Sequence, residues 1–105
     1  DPELIYSTIC ASAGFSKIFT NRANTMIARN FATRGTISIL HKDLKYAVEK
    51  ANELECILPL GQAANSVFQI GLNTLSDPSE DFSAIIKVYE SWMNVLVGTE
   101  TKTDD

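Results

Sequence analysis

The chain has 105 residues, with 45% hydrophobic and 21% charged side chains and a net charge of −4. That length and balance describe one soluble globular domain with a modest core, and exclude both a second domain and a disordered polar chain. Negative charge with no basic stripe excludes a nucleic-acid backbone as partner, and no apolar run approaches the roughly 20 residues of a membrane span.

Asp1-Pro2-Glu3 reads as a helix start, with aspartate as N-cap, proline at the first helical position and glutamate complementing the dipole. Leu4, Ile5, Thr8 and Ile9 are the expected buried side of this helix, which ends near Gly14. Ser16 caps a second helix running to about Arg29, with Phe19, Ala23, Met26 and Ile27 at helical spacing. Residues 30–35 are the break, and Thr36 is the expected N-cap of the longest helix, 36–55. Its stripe of Ile37, Leu40, Leu44, Ala47, Val48, Ala51 and Leu54 repeats every three or four positions and faces a core. A short apolar connector, Cys56-Ile57-Leu58, leads to Pro59, which opens a fourth helix with Ala63, Val67, Gly71 and Leu75 on one stripe. The cluster SDPSE at 76–80 is a turn. Asp81 caps a fifth helix whose oily face is Phe82, Ile85, Ile86, Tyr89, Met93 and Leu96, with Gly98 as its stop. Nothing alternates with period two, so the expected fold class is all-α. It is a five-helix domain over residues 1–98 with antiparallel neighbours, followed by a flexible polar tail, 99–105.

The face of the long helix opposite its stripe is unusual. Ile39 and Tyr46 flank Lys42 and Asp43, so apolar groups and two opposite charges share a surface that a solvated helix leaves plainly polar. Two readings stand: a surface ion pair, or a pair set in a cleft. Small residues at 12–16 leave free amides at the mouth of helix two, where Ser16 either caps the turn or helps receive an anion. Arg22 holds an acidic ligand or a neighbouring acidic side chain. His41 reads as a helix-surface residue, and Tyr89 and Trp92 as core or interface. Cys10 and Cys56 lack metal-ligand spacing and are expected to be free, mostly buried thiols; no metal site is expected. No Gly-rich phosphate cradle or nucleophile elbow occurs. The opening DPELIY carries no targeting signal, and a reducing cytoplasmic compartment, or a mitochondrial matrix, is expected.

The succession DPELIY, SAGFSKIFTNR, HKDLKYAVEKANELECILPL and DFSAIIKVYE resembles the C-terminal half of the β-hydroxyacid dehydrogenase family, over residues 1 to about 96. That family includes hydroxyisobutyrate, tartronate semialdehyde and threonate enzymes. The resemblance implies the helical, substrate-closing and dimerisation domain of a phosphogluconate dehydrogenase-like fold, without its first long helix. In the family that helix carries the catalytic lysine in a motif like GxGxxxKxxxN, so no catalytic residue is expected in this chain. By the same resemblance Lys42 is implied as cofactor-binding and Asp43 as substrate-binding; Ser16 is a substrate-binding candidate through its place at the mouth of helix two alone. Gly35 stands where several glyoxylate-reducing members have phenylalanine, which together with SAGFSKIFTNR resembles the threonate-type branch.

The implied function is the C-terminal domain of an NAD(P)-dependent oxidoreductase acting on a small 3-hydroxy acid. NAD or NADP serves the parent enzyme, and tight binding to this chain alone is not expected. The alternative is a non-catalytic helical interaction module derived from the family. The expected partner is a second copy, in a homodimer or higher homo-oligomer. Without the first long helix, the faces carrying Ile39, Tyr46, Val88, Trp92 and Val95 are expected to stay uncovered.

Overall fold

The computed structural model describes residues 1–98, and the tail expected at 99–105 lies outside the described residues. Five α-helices and one 3-10 turn follow in order: α1 Pro2–Cys10, α2 Lys17–Ile27, α3 Ile37–Glu53, α4 Pro59–Thr74, the 3-10 turn Phe82–Ile85 and α5 Ile86–Met93. No named strand occurs among the described residues, so the all-α expectation holds.

The starts follow the expected chemistry. Asp1 Oδ1 accepts from the Glu3 amide at 2.9 Å, Ser16 Oγ from Phe19 at 3.0 Å, and Thr36 Oγ1 from Ile39 at 3.1 Å. Helix ends moved more. α1 stops at Cys10 rather than near Gly14, and the last helix stops at Met93, where Asn94 takes the left-handed conformation at φ 52°. Gly98 therefore is not the helix stop. Its own φ is 76°, and a Cβ there would overlap the Ile27 carbonyl, so glycine lets the segment after α5 return onto the end of α2.

α3 and α4 pack side by side as an antiparallel hairpin, and the 3-10 turn sits at its base against both. Two loops are laced together there: Asp81 N donates to Phe31 O at 3.0 Å, Phe82 N to Gly35 O at 2.8 Å and Ile37 N to Glu80 O at 3.3 Å. Gly71 of α4 permits this closeness, since a Cβ would come within 2.7 Å of Ile85 Cδ1. Ile37, Ala51, Ala84 and Val88 are the buried apolar side chains.

Three expectations about burial are corrected. No α1 side chain is buried, and Leu4 and Ile5 lie open, because α2 is the main neighbour of α1 and covers its Tyr6 side. The rings of Tyr6 and Phe19 stack there at 5.9 Å. On the last helix, Tyr89, Met93 and Leu96 face outward, while Val88 and Glu90 turn inward. Half of the expected oily face is thus wet, and Val88 belongs to the core rather than to an uncovered patch. Cys10 is half-buried and Cys56 exposed, both free, because Cys56 sits at the hairpin tip.

Candidate functional site

Ile39, Lys42, Asp43 and Tyr46 lie at spacings of three and four along α3, so the helix presents them on one outward face. All four are exposed, and the two apolar members are about half accessible or more. Lys42 and Asp43 form no ion pair with each other or with any other described residue. Adjacent helix positions point about 100° apart, which is why they do not meet. Lys42 is thus an exposed cation between two apolar groups along the helix, with its charge unpaired among the described residues. Neither the ion pair nor the cleft is observed: both charges stand exposed and unpaired among the described residues, on an open face of α3. Ser16 opens α2, and its hydroxyl is engaged in capping; no bond joins it to Lys42 or Asp43.

Behind that face, α3 is anchored by a buried carboxylate. Asp81 is 1% exposed and accepts from the Arg34 amide and the Ser83 amide, each at 3.0 Å. Arg22 Nε lies 3.0 Å from Asp81 Oδ2, in ion contact although its N–H is not aimed along a hydrogen bond, and its guanidinium covers the Phe82 ring at 4.4 Å. Burial alone would raise the Asp81 pKa. The Ser83 and Arg34 donors and the Arg22 charge outweigh burial and hold it below the ordinary carboxylate value. Of the two readings of Arg22, the neighbouring acidic side chain is the one observed.

A second buried pair escaped the sequence reading. Arg29 grips Glu90 through two bonds, Nη1 to Oε2 at 2.6 Å and Nη2 to Oε1 at 3.2 Å. Glu90 Oε2 also accepts from the Val97 amide at 2.6 Å, while Arg29 Nη1 donates to the Val97 carbonyl at 3.2 Å. The available signal was a carboxylate inside the apolar run Val88 to Trp92.

Residues 1–89 match the family model described as the NAD-binding domain of NADP-dependent 3-hydroxyisobutyrate dehydrogenase. The chain belongs to this family. Among relatives of the hydroxyisobutyrate dehydrogenase domain, L-threonate dehydrogenase of Cupriavidus necator is 33% identical over 89 residues, which are 85% of this chain and 30% of that protein. The 2-(hydroxymethyl)glutarate dehydrogenase of Eubacterium barkeri is 32% identical over 97 residues, 91% of this chain and 32% of the relative. A crystal structure of 3-hydroxyisobutyrate dehydrogenase from Salmonella typhimurium superposes with a TM-score of 0.78 at 30% identity, over 83% of this chain and 30% of that one. The chain therefore spans about a third of the length of these relatives.

The α3 face presents one exposed lysine between two exposed apolar side chains. Among the described residues no Gly-rich loop forms a cradle for a pyrophosphate. No described cluster of His, Cys, Asp or Glu suits a metal, and no described helix is long and apolar enough to cross a membrane.

Proposed function

We propose that this chain is the helical domain of an NAD(P)-dependent oxidoreductase acting on the CH–OH group of a small 3-hydroxy acid of the threonate type. The observation that carries the reading is the uncommitted Lys42 on the apolar-flanked face of α3, in a domain of this family. The names of the relatives supply the substrate class. Lys42 orients the nicotinamide end of the cofactor or the substrate carboxylate. Asp43, one step round the helix, and Ser16, at the α2 mouth, serve in this reading as secondary substrate contacts. When bound, the nicotinamide accepts or supplies the hydride; this chain's own residues bind and orient.

The test uses the longer protein in which this domain is joined to a dinucleotide-binding domain. Lys42→Ala there is expected to raise KM for cofactor or hydroxy acid about tenfold or more with thermal stability unchanged. Unchanged kinetics return Lys42 to plain solvation. The chain alone is expected to show no turnover.

The second reading, a helical interaction module that pairs with itself, is favoured by the large apolar side chains left in solvent, among them Leu4, Ile5, Ile57, Leu60, Trp92 and Met93. Self-association is compatible with either role. The cytoplasm is the compartment proposed for both.

A further inference from the structure

The entry of the chain into α3 is fixed by a carboxylate buried beneath it. The two oxygens of Asp81 serve different parts of the fold. Oδ1 accepts from the Arg34 amide, in the loop just before the Thr36 cap of α3, while Oδ2 accepts from the Ser83 amide and contacts Arg22 Nε of α2, each at 3.0 Å. The main chain repeats the link, since Asp81 pairs with Thr36 in an isolated antiparallel bridge, with Phe82 N on Gly35 O at 2.8 Å and Ile37 N on Glu80 O at 3.3 Å. Ile37, the first residue of α3, is fully buried within this clasp. α2 packs on α1 and the 3-10 turn rather than on α3, so its tie to the start of α3 runs through Asp81.

Lys42 stands on the same helix, about 9 Å of axial rise beyond Thr36. A helix moves as a rod, so tilting its first turn by about 10° carries that position through about 1.5 Å. Displacements of about 1 Å are enough to spoil a productive geometry. Among the described residues Lys42 has no ion-pair partner, so α3 alone places its ammonium. We propose that Asp81 is a positioning residue for Lys42: its carboxylate sets the entry angle of α3, and Arg22 holds that carboxylate from the α2 side. This rests on the orienting role proposed above for Lys42. Both oxygens are needed as acceptors. Asparagine keeps the size but presents its NH2 either to the Arg34 amide or to the Ser83 amide and Arg22, setting donor against donor. Arg22 is itself kept from swinging away, because its guanidinium covers the Phe82 ring at 4.4 Å.

The test uses the longer protein in which this domain is joined to a dinucleotide-binding domain, assayed well below its thermal unfolding. Lys42→Ala identifies which KM, that of cofactor or of hydroxy acid, reports the lysine. Asp81→Asn is expected to raise that same KM about tenfold while kcat stays within about threefold. Built onto Lys42→Ala it is expected to add nothing further, because a residue that acts through the lysine then has nothing left to place. A merely structural carboxylate gives a different pattern, since partial unfolding lowers activity per mole and leaves the KM of the folded fraction unchanged. An Asp81→Asn effect on KM that is absent, or that multiplies with Lys42→Ala, overturns the positioning role and leaves the reading of Lys42 standing. A silent Lys42→Ala removes that reading, and the positioning role with it. Should Asp81→Asn fail to fold, two substitutions at Arg22 decide. Arg22→Met keeps the stem and loses the charge, and is expected to raise the same KM about threefold, whereas Arg22→Lys keeps a cation beside Asp81 and is expected to stay within about twofold of wild type. Equal KM values in these two variants overturn the proposal.

Discussion

In the half built from α3, α4, the 3-10 turn and α5, Ile37, Ala84 and Val88 disappear from solvent, whereas α1 and α2 bury no side chain fully. What α2 and the residues just past it have instead is two charge pairs to the other half, Arg22 with Asp81 and Arg29 with Glu90. Burial of oil is strong but indifferent to direction; a hydrogen-bonded ion pair is directional and adds less net free energy. The hairpin half is therefore held by packing. The α1–α2 half is located by charges and still presents its own oil to solvent, which is what an element awaiting a cover looks like.

The largest expected break in this arrangement is Asp81→Ala. It removes the Arg22 partner, the cap of the 3-10 turn and the acceptor for Arg34, and strands a nearly buried guanidinium. The expected loss is about 3–5 kcal/mol, a large part of the roughly 5–15 kcal/mol of a small domain, read by urea denaturation. Acid probes the same group. Because its folded pKa lies below the unfolded one, the stability it contributes is complete above the ordinary carboxylate range and fades as pH drops below about 4. The gap between wild type and Asp81→Asn is thus expected to narrow from pH 7 to pH 3. An equal gap at both values means the carboxylate charge is not what joins the halves.

Glu90→Gln comes next, at about 1–3 kcal/mol, because glutamine keeps an acceptor but leaves Arg29 uncompensated. Hydrogen exchange sharpens the comparison. Amides of residues 95–98 and the end of α2 are expected to exchange faster while those of α3 and α4 keep their protection; uniform acceleration means that one cooperative unit spans both halves. The smallest effect has the opposite sign. Asn65 Oδ1 on α4 is buried without a hydrogen-bond partner among the described residues, so Asn65→Ala is expected to gain about 1 kcal/mol in the hairpin half.

The starts of α1, α2 and α3 were legible because a single side chain makes each one: Asp1, Ser16 and Thr36 cap where their types and positions implied. The ends were less legible, since Arg29 and Glu55 take positive φ although neither is glycine or asparagine; only Asn94 is of a type that favours it. The inward turn of Val88 and Glu90 was hidden for a different reason. A 3-10 turn advances by a smaller residue count per turn than an α-helix, so opening the last element with four 3-10 residues shifts the phase of everything after it. Of the site, the α3 face around Lys42 was readable from its mixed composition and family motif. For the pairing of Arg29 with Glu90, 61 residues apart, the sequence marked only the carboxylate among apolar neighbours and not its partner.

Arg29 sits at φ 52°, where glycine is the default at the end of a helix. Replacing it with glycine relaxes the backbone and in the same step abandons the Glu90 carboxylate inside the protein. Replacing Glu90 with an apolar residue abandons the guanidinium while the backbone stays strained. Each single change runs uphill, although glycine with an apolar partner is a sound alternative, so the two positions are locked to one another in sequence space. Diverged members of the family are accordingly expected to carry either the charged pair or the glycine with its apolar partner, and seldom a mixture of the two.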